Sequence, residues 1–136
     1  MATTSVPSKD GAMSMIPINQ PETLAEVSAV FARYERALLD NDAPTLIELF
    51  WNAPQTVRYG IDEIHHGHRA IAEFRRSQAA ATMPRQLRNV VITTFGDDVA
   101  TVDAEFVPVG FDAVGRQSQT WVRTTDGWRG DCCTIR

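Results

Sequence analysis

Several features that mark whole classes of protein are missing from this chain. It has only two cysteines, Cys132 and Cys133, adjacent and close to the C-terminal end. Such a pair cannot build a disulfide framework, and two vicinal thiols alone make a poor zinc site. They read as free thiols of a cytosolic protein, and the expected location is the cytoplasm. Positive charge is also short: 13 Lys+Arg against 17 Asp+Glu give a formal net charge of −4, and the basic residues are scattered. Nucleic acid is therefore excluded as an expected partner. No apolar run approaches the roughly 20 residues that span a bilayer, so no membrane partner is expected either. The stretch Met1 to Met13 lacks the apolar core of a secretory signal. Residues 1–20 read as a flexible leader, with Met13 an alternative start. Nucleophile elbow, phosphate loop, Cys–His pair and zincin motif are all missing, and nothing repeats internally. Any catalysis has to rest on proton transfer and electrostatics.

What is present is one core's worth of patterned sequence. With 136 residues and 43% hydrophobic content, residues 21–136 make a single domain. From Pro21, Leu24, Val27, Phe31, Tyr34 and Leu38 recur at steps of three and four, the stripe of an amphipathic helix. Asp40-Asn41-Asp42 breaks it, and Asp42 can cap a short second helix with Pro44 in its first turn. Thr56–Tyr59 reads as a strand, Gly60 to Gly67 as a loop and His68 to Gln78 as a helix with Ile71 and Phe74 inward. Three strand-like stretches follow, Arg85–Phe95, Val99–Val109 and Gly115–Thr125, and a last strand should begin near Trp128. Helices first and then a run of antiparallel strands predict an α+β fold. A curved antiparallel sheet wrapped around N-terminal helices would form a cone whose open end is a natural pocket.

Two residues stand out against that pattern. Tyr34 lies on the apolar stripe of the first helix, and Arg58 lies within the strand Thr56–Tyr59. A tyrosine there is either a core residue with a tied hydroxyl or a buried phenol able to donate a proton. Arg58 either makes a structural ion pair, with Glu35 or Glu63, or binds an anion with its planar fork of donors. Gly115–Arg123 is polar on both faces: Arg116, Ser118 and Thr120 share one, Gln117, Gln119 and Trp121 the other. One row lines the pocket or a subunit interface. His65, His66 and His68, with Asp62 and Glu63, invite a metal reading, but ligands this close in sequence rarely surround one ion, and no metal is assigned.

Phe31-Ala-Arg-Tyr-Glu-Arg-Ala-Leu38, Glu48-Leu-Phe-Trp51, Thr56-Val-Arg-Tyr-Gly60, Leu87-Arg-Asn-Val-Val-Ile-Thr-Thr-Phe-Gly96 and Gly115–Arg123 together resemble the AtzH-like family, within the SnoaL-like and NTF2-like superfold. The resemblance runs from about Pro21 to Trp128 and implies the cone fold. The family includes a small decarboxylating amidohydrolase of cyanuric acid (s-triazine) degradation, which converts 1,3-dicarboxyurea to allophanate, and proteins of oxalurate catabolism. The first implies an enzyme on a small anionic ureide; the alternative is an accessory or ligand-binding protein of oxalurate or ureide catabolism. Tyr34 and Arg58 carry over as the catalytic pair, Arg116 or Ser118 is the candidate for a second carboxylate, and no cofactor is needed. A homodimer or higher homo-oligomer is expected, since Trp121 or Trp128 exposed on a small monomer would be a sticky patch. The sequence leaves the family pattern after Trp128-Arg129, where Gly130-Asp-Cys-Cys-Thr-Ile-Arg136 replaces an apolar strand. A clipped strand, and with it an exposed sheet edge, is expected there.

Overall fold

The computed structural model describes residues 15–78 and 83–135; the first part of the expected leader lies outside the described residues. The elements run α1 Pro21–Asp40, α2 Ala43–Leu49, β1 Val57–Tyr59, β2 Ile64–His66, α3 His68–Ser77, β3 Arg85–Phe95, β4 Val99–Pro108, β5 Gly115–Thr124, β6 Gly127–Gly130 and β7 Cys132–Ile135. Helix α1 buries Val27, Phe31, Tyr34, Ala37 and Leu38 along one stripe, while Leu24 is half-buried and Thr23 takes a buried place beside it. The helix stops where Asn41 turns into the left-handed region (φ 52°), which its short polar side chain tolerates. Asp42 then caps α2, its carboxylate accepting the Thr45 N–H at 3.2 Å.

The sheet runs β2-β1-β7-β5-β4-β3, with β6 also paired to β5. All pairings are antiparallel except β1 with β7, which is parallel. A bulge in β3 between Arg88 and Val91, where Asn89 has φ 50°, bends the long strands. The sheet curls around α1 without closing. Its concave face, with α1, α2 and α3, holds the core of Val27, Leu46, Leu49, Ile71, Val102 and Trp121.

Four features differ from the sequence reading. The loop Gly60 to Gly67 contains β2, a strand of three residues, too short to show an alternation of its own. The clipped strand is not there: Cys132–Ile135 forms β7, inserted between β1 and β5 rather than missing from an edge. Strands β6 and β7 follow one another along β5, and Asp131 bridges the break. Its N–H donates to the Thr120 carbonyl at 3.1 Å, and its carboxylate accepts the Thr120 N–H at 3.2 Å. Small and polar residues therefore serve, because backbone pairing on both sides and the buried Cys132 side chain hold the strand. Residues 17–19 belong to the domain rather than the leader: Gly96 N–H donates to the Pro17 carbonyl and Asn19 pairs with Thr94. Finally, neither Trp121 nor Trp128 is exposed. Both indoles are buried with a polar partner, Trp121 donating to Gln119 and Trp128 to Glu26, each at 2.9 Å.

Candidate active site

Strand register sets the floor of the site. The pairs Arg58↔His65 and Arg58↔Cys132 put the side chains of β2, β1 and β7 in one cross-strand row. Helix α1 lays Tyr34 against this row, its hydroxyl 3.9 Å from the Cys132 sulfur. The ring is core: it meets Phe50 and Trp121 edge-on at 6.1 and 6.2 Å. Among the described residues the hydroxyl has no backbone partner, and Tyr34 borders a cavity of about 320 Å³ whose lining includes Arg58, Phe74, Arg75, Arg85 and Gln117.

Three guanidiniums enter this cavity, each in a different state. Arg85, at the start of β3, forms a bidentate pair with Glu35 of α1, both contacts at 2.8 Å, and donates a further bond to the Gln117 carbonyl oxygen at 3.0 Å. Its plane lies over the Phe106 ring at 4.4 Å. Arg58 pairs with Glu63 at 3.1 Å, reaches Nδ1 of His65 at 3.4 Å and lies over Phe74 at 4.4 Å. The two carboxylates weighed as partners of Arg58 are thus divided, Glu63 to Arg58 and Glu35 to Arg85. Arg75 of α3 is 6% exposed, and its Nε has no hydrogen-bond partner. Among the described residues it has no carboxylate partner, only the rings of Phe74 and Phe50 at 5.4 and 6.0 Å.

The titrating groups respond first to burial and then to the neighbouring charges. Burial pushes the Tyr34 phenol well above its ordinary value, and the neighbouring Cys132 adds to the rise. The charges of Arg75, Arg58 and Arg85 pull it back. Burial pushes Arg75 down from its ordinary value, with Arg58 acting in the same sense. His65 is also lowered, first by burial and then by Arg58.

Arg116 and Ser118 are not brought to Tyr34 and Arg58. On β5 the buried row is Gln117, Gln119 and Trp121, so Arg116 and Ser118 are exposed on the opposite face. There Ser118 donates to Asp103, and both residues line a separate groove with Glu105. The histidines diverge as well: His65 packs on Phe74 and Arg58, His66 stands edge-on to Tyr59, and His68 is 2.8 Å from the Ile47 carbonyl. Among the described residues no cluster of three or more His, Cys, Asp or Glu side chains could hold a metal ion. A wider cleft of about 630 Å³ lies by α2 and the β5–β6 turn, but Arg129 in its lining already reaches Glu48 at 3.6 Å.

Sequence reading missed Arg75 and Arg85 and, of the two rows it left open on β5, assigned substrate binding to Arg116 and Ser118 rather than Gln117. Arg75 was detectable: it follows Ile71 by four residues on α3, so it sits on that helix's buried stripe as Tyr34 does on α1. Gln117 was detectable from Trp121, which is in its row and whose large apolar side chain marks the inner face.

A family model described as AtzH-like matches residues 16–132. The chain is similar to a solved protein of unknown function of the DUF3225 family from Pectobacterium atrosepticum, with 45% identity over 87% of this chain and 93% of that one and a TM-score of 0.83. A cystatin-like fold protein from Burkholderia xenovorans shows 43% identity over 88% of this chain and 97% of that one, with a TM-score of 0.81. An NTF2-like protein of unknown function from Pseudomonas putida, 17% identical over 83% of this chain and 87% of that one with a TM-score of 0.67, shares the fold. No curated protein matches. The fold is the NTF2-like cone that the resemblance implies.

Proposed function

The chain belongs to the AtzH-like family, and from that premise we propose that it is a cofactor-independent decarboxylating amidohydrolase converting 1,3-dicarboxyurea to allophanate, as in cyanuric acid degradation. One observation carries the reading. The guanidiniums of Arg58, Arg75 and Arg85 line one cavity with Tyr34, and among the described residues only two carboxylates, Glu35 and Glu63, pair with them. A buried surplus of positive charge calls for an anion, and a cavity of about 320 Å³ suits a small one.

The chemistry asks for a proton and a clamp. Arg58 orients the carboxylate at the reacting end. The bond between that carboxyl carbon and its nitrogen breaks, the electron pair passes to nitrogen, and carbon dioxide leaves. Nitrogen takes the Tyr34 proton, so the dianion plus one proton gives allophanate plus carbon dioxide, and the phenol is re-protonated from water. Tyr34 suits the donor role because burial keeps it protonated, while three nearby guanidiniums lower the cost of a transient phenolate. The enzyme works in the cytoplasm as a homodimer or higher homo-oligomer. Support for self-association comes from the outer face of the sheet, where Phe95, Val99 and Val122 form one cross-strand row.

Release of carbon dioxide and allophanate from freshly generated 1,3-dicarboxyurea by the purified protein tests the reading. Tyr34→Phe and Arg58→Lys should keep the circular dichroism of the fold and lose at least about a hundredfold in rate. Carboxylate binding without turnover would favour the accessory role in oxalurate or ureide catabolism. A Tyr34→Phe protein that melts early yet turns over normally would return this residue to the core.

A further inference from the structure

Two polar side chains in the cavity are almost wholly buried and short of partners. Arg75 is 6% exposed with its Nε unbonded, and Gln117 is 4% exposed with its amide nitrogen unbonded. Unsatisfied buried donors are costly, about 1–3 kcal/mol each and more for a charge. Two of them lining one small cavity is not what packing alone would select.

The amide of Gln117 is also held in a definite sense. Glu35 fixes Arg85 by two bonds, and Arg85 donates to the Gln117 carbonyl oxygen at 3.0 Å. That end of the amide is occupied, which leaves the NH₂ as the free end. On α3, Arg75 is placed by the same face that buries Ile71 and Ala72. We infer that Arg75 and Gln117 form a second carboxylate subsite of the cavity, distinct from the Arg58 clamp, which makes the site selective for a dicarboxylate over a monocarboxylate.

This assignment deepens the proposed function and rests on it for the identity of the dianion. It also divides the substrate's two ends. The carboxylate that departs as carbon dioxide gives up its charge in the reaction. It suits Arg58, whose charge is already partly answered by Glu63. The carboxylate that survives in the product keeps its charge, and it suits Arg75, which forms no direct ion pair with a carboxylate among the described residues. A strong hold on the reacting end would stabilise the ground state; a strong hold on the other end stabilises ground and transition states alike and sets the position.

Calorimetric titration with malonate and with acetate tests the subsite without turnover. Wild type should bind malonate at least about tenfold more tightly than acetate, a hydrogen bond to a charged group being worth a factor of this order. Arg75→Gln and Gln117→Met should bring malonate down to the level at which the same variant binds acetate, whichever end of the cavity acetate occupies in wild type. Arg75→Lys, which keeps the charge but loses the fork, should fall between. Thermal melting without ligand provides a separate readout. Arg75→Gln removes a buried charge that has no ion-pair partner, so it should melt at or above the wild-type temperature; a structural arginine would melt lower. Unchanged malonate selectivity in folded Arg75→Gln and Gln117→Met, or no malonate preference in wild type, would overturn the subsite. If selectivity behaves as described but 1,3-dicarboxyurea is not turned over, the catalytic reading fails and the subsite stands. Turnover of 1,3-dicarboxyurea without dicarboxylate selectivity removes the subsite and leaves the catalytic reading in place.

Discussion

At the scale of the residue, what separates the three cavity arginines is the neighbour that local geometry supplies. Arg58 can reach Glu63 because Gly60 intervenes: a Cβ at that position would meet the Glu63 carboxylate and lie 2.9 Å from the Arg58 guanidinium. Across the ladder from Arg58, His65 presents Nδ1 at 3.4 Å, an acceptor only while the ring is neutral. Burial and then the Arg58 charge lower His65 below its ordinary 6.5; Glu63 opposes them and the more distant Arg75 reinforces them. Because the folded value lies below the unfolded one, the unfolded chain takes up the proton first as pH falls. The contribution of His65 to stability is therefore present above about 6.5 and is lost on acidification through the folded value. Between about pH 7 and pH 5, the wild-type melting temperature should fall further than that of His65→Gln, which keeps an acceptor and does not titrate. Thermal melts across that range check it, and parallel declines would remove His65 from the account.

At the scale of elements, the site depends on connections between parts distant in sequence. The bidentate Glu35–Arg85 pair joins α1 to the start of β3, with side chains only 12% and 5% exposed. Removing one partner of such a pair leaves a buried charge uncompensated, a loss of about 3 kcal/mol. Glu35→Gln should accordingly lower the melting temperature by roughly 10 °C for a domain of this size. Differential scanning calorimetry would measure it, and an unchanged transition would mean that Gln117 and the Phe106 ring suffice to hold Arg85. The same variant frees Gln117 from its fixed orientation, so dicarboxylate selectivity should decline with stability. Strand β7 has a comparable linking part. Pairing with β1 on one side and β5 on the other, it joins the short strand that carries Arg58 to the long strands of the sheet.

At the scale of the whole molecule, the cone holds a polar cavity beside its apolar core and is partly apolar outside. Val91, Phe95 and Val99 are 54%, 40% and 39% exposed, on strands β3 and β4. Exposed Phe and Val on one face of the sheet form the kind of surface that a second copy covers. Multi-angle light scattering at micromolar concentration should therefore give at least twice the 15.1 kDa chain mass. A particle of 15.1 kDa would rule out the oligomer. Phe95→Glu, which puts a charge at the β3 end of the row, should shift the particle toward the monomer while leaving the cavity residues in place.

The sequence by itself determined the helices and the long strands and singled out Tyr34 and Arg58, because these depend on short-range periodicity. The stripe through Val27, Phe31, Tyr34 and Leu38 announces α1, Asp42 announces the next helix, and turn residues separate the long strands. A phenol and a guanidinium stand out against such patterns. Tertiary structure decided which polar groups share the cavity. Cys132 lies beside Tyr34 only because β7 pairs in parallel with β1, and Arg85 is engaged only because α1 carries Glu35 across β3. Which row of β5 faces inward was open in Arg116–Thr120 taken alone, since both faces are polar; burial of Trp121 against Tyr34 settles it and carries Gln117 and Gln119 inside. Partner satisfaction is a sum over neighbours far apart in the chain. The isolation of Arg75 from any carboxylate partner could therefore emerge only once the helices and the sheet had closed around it.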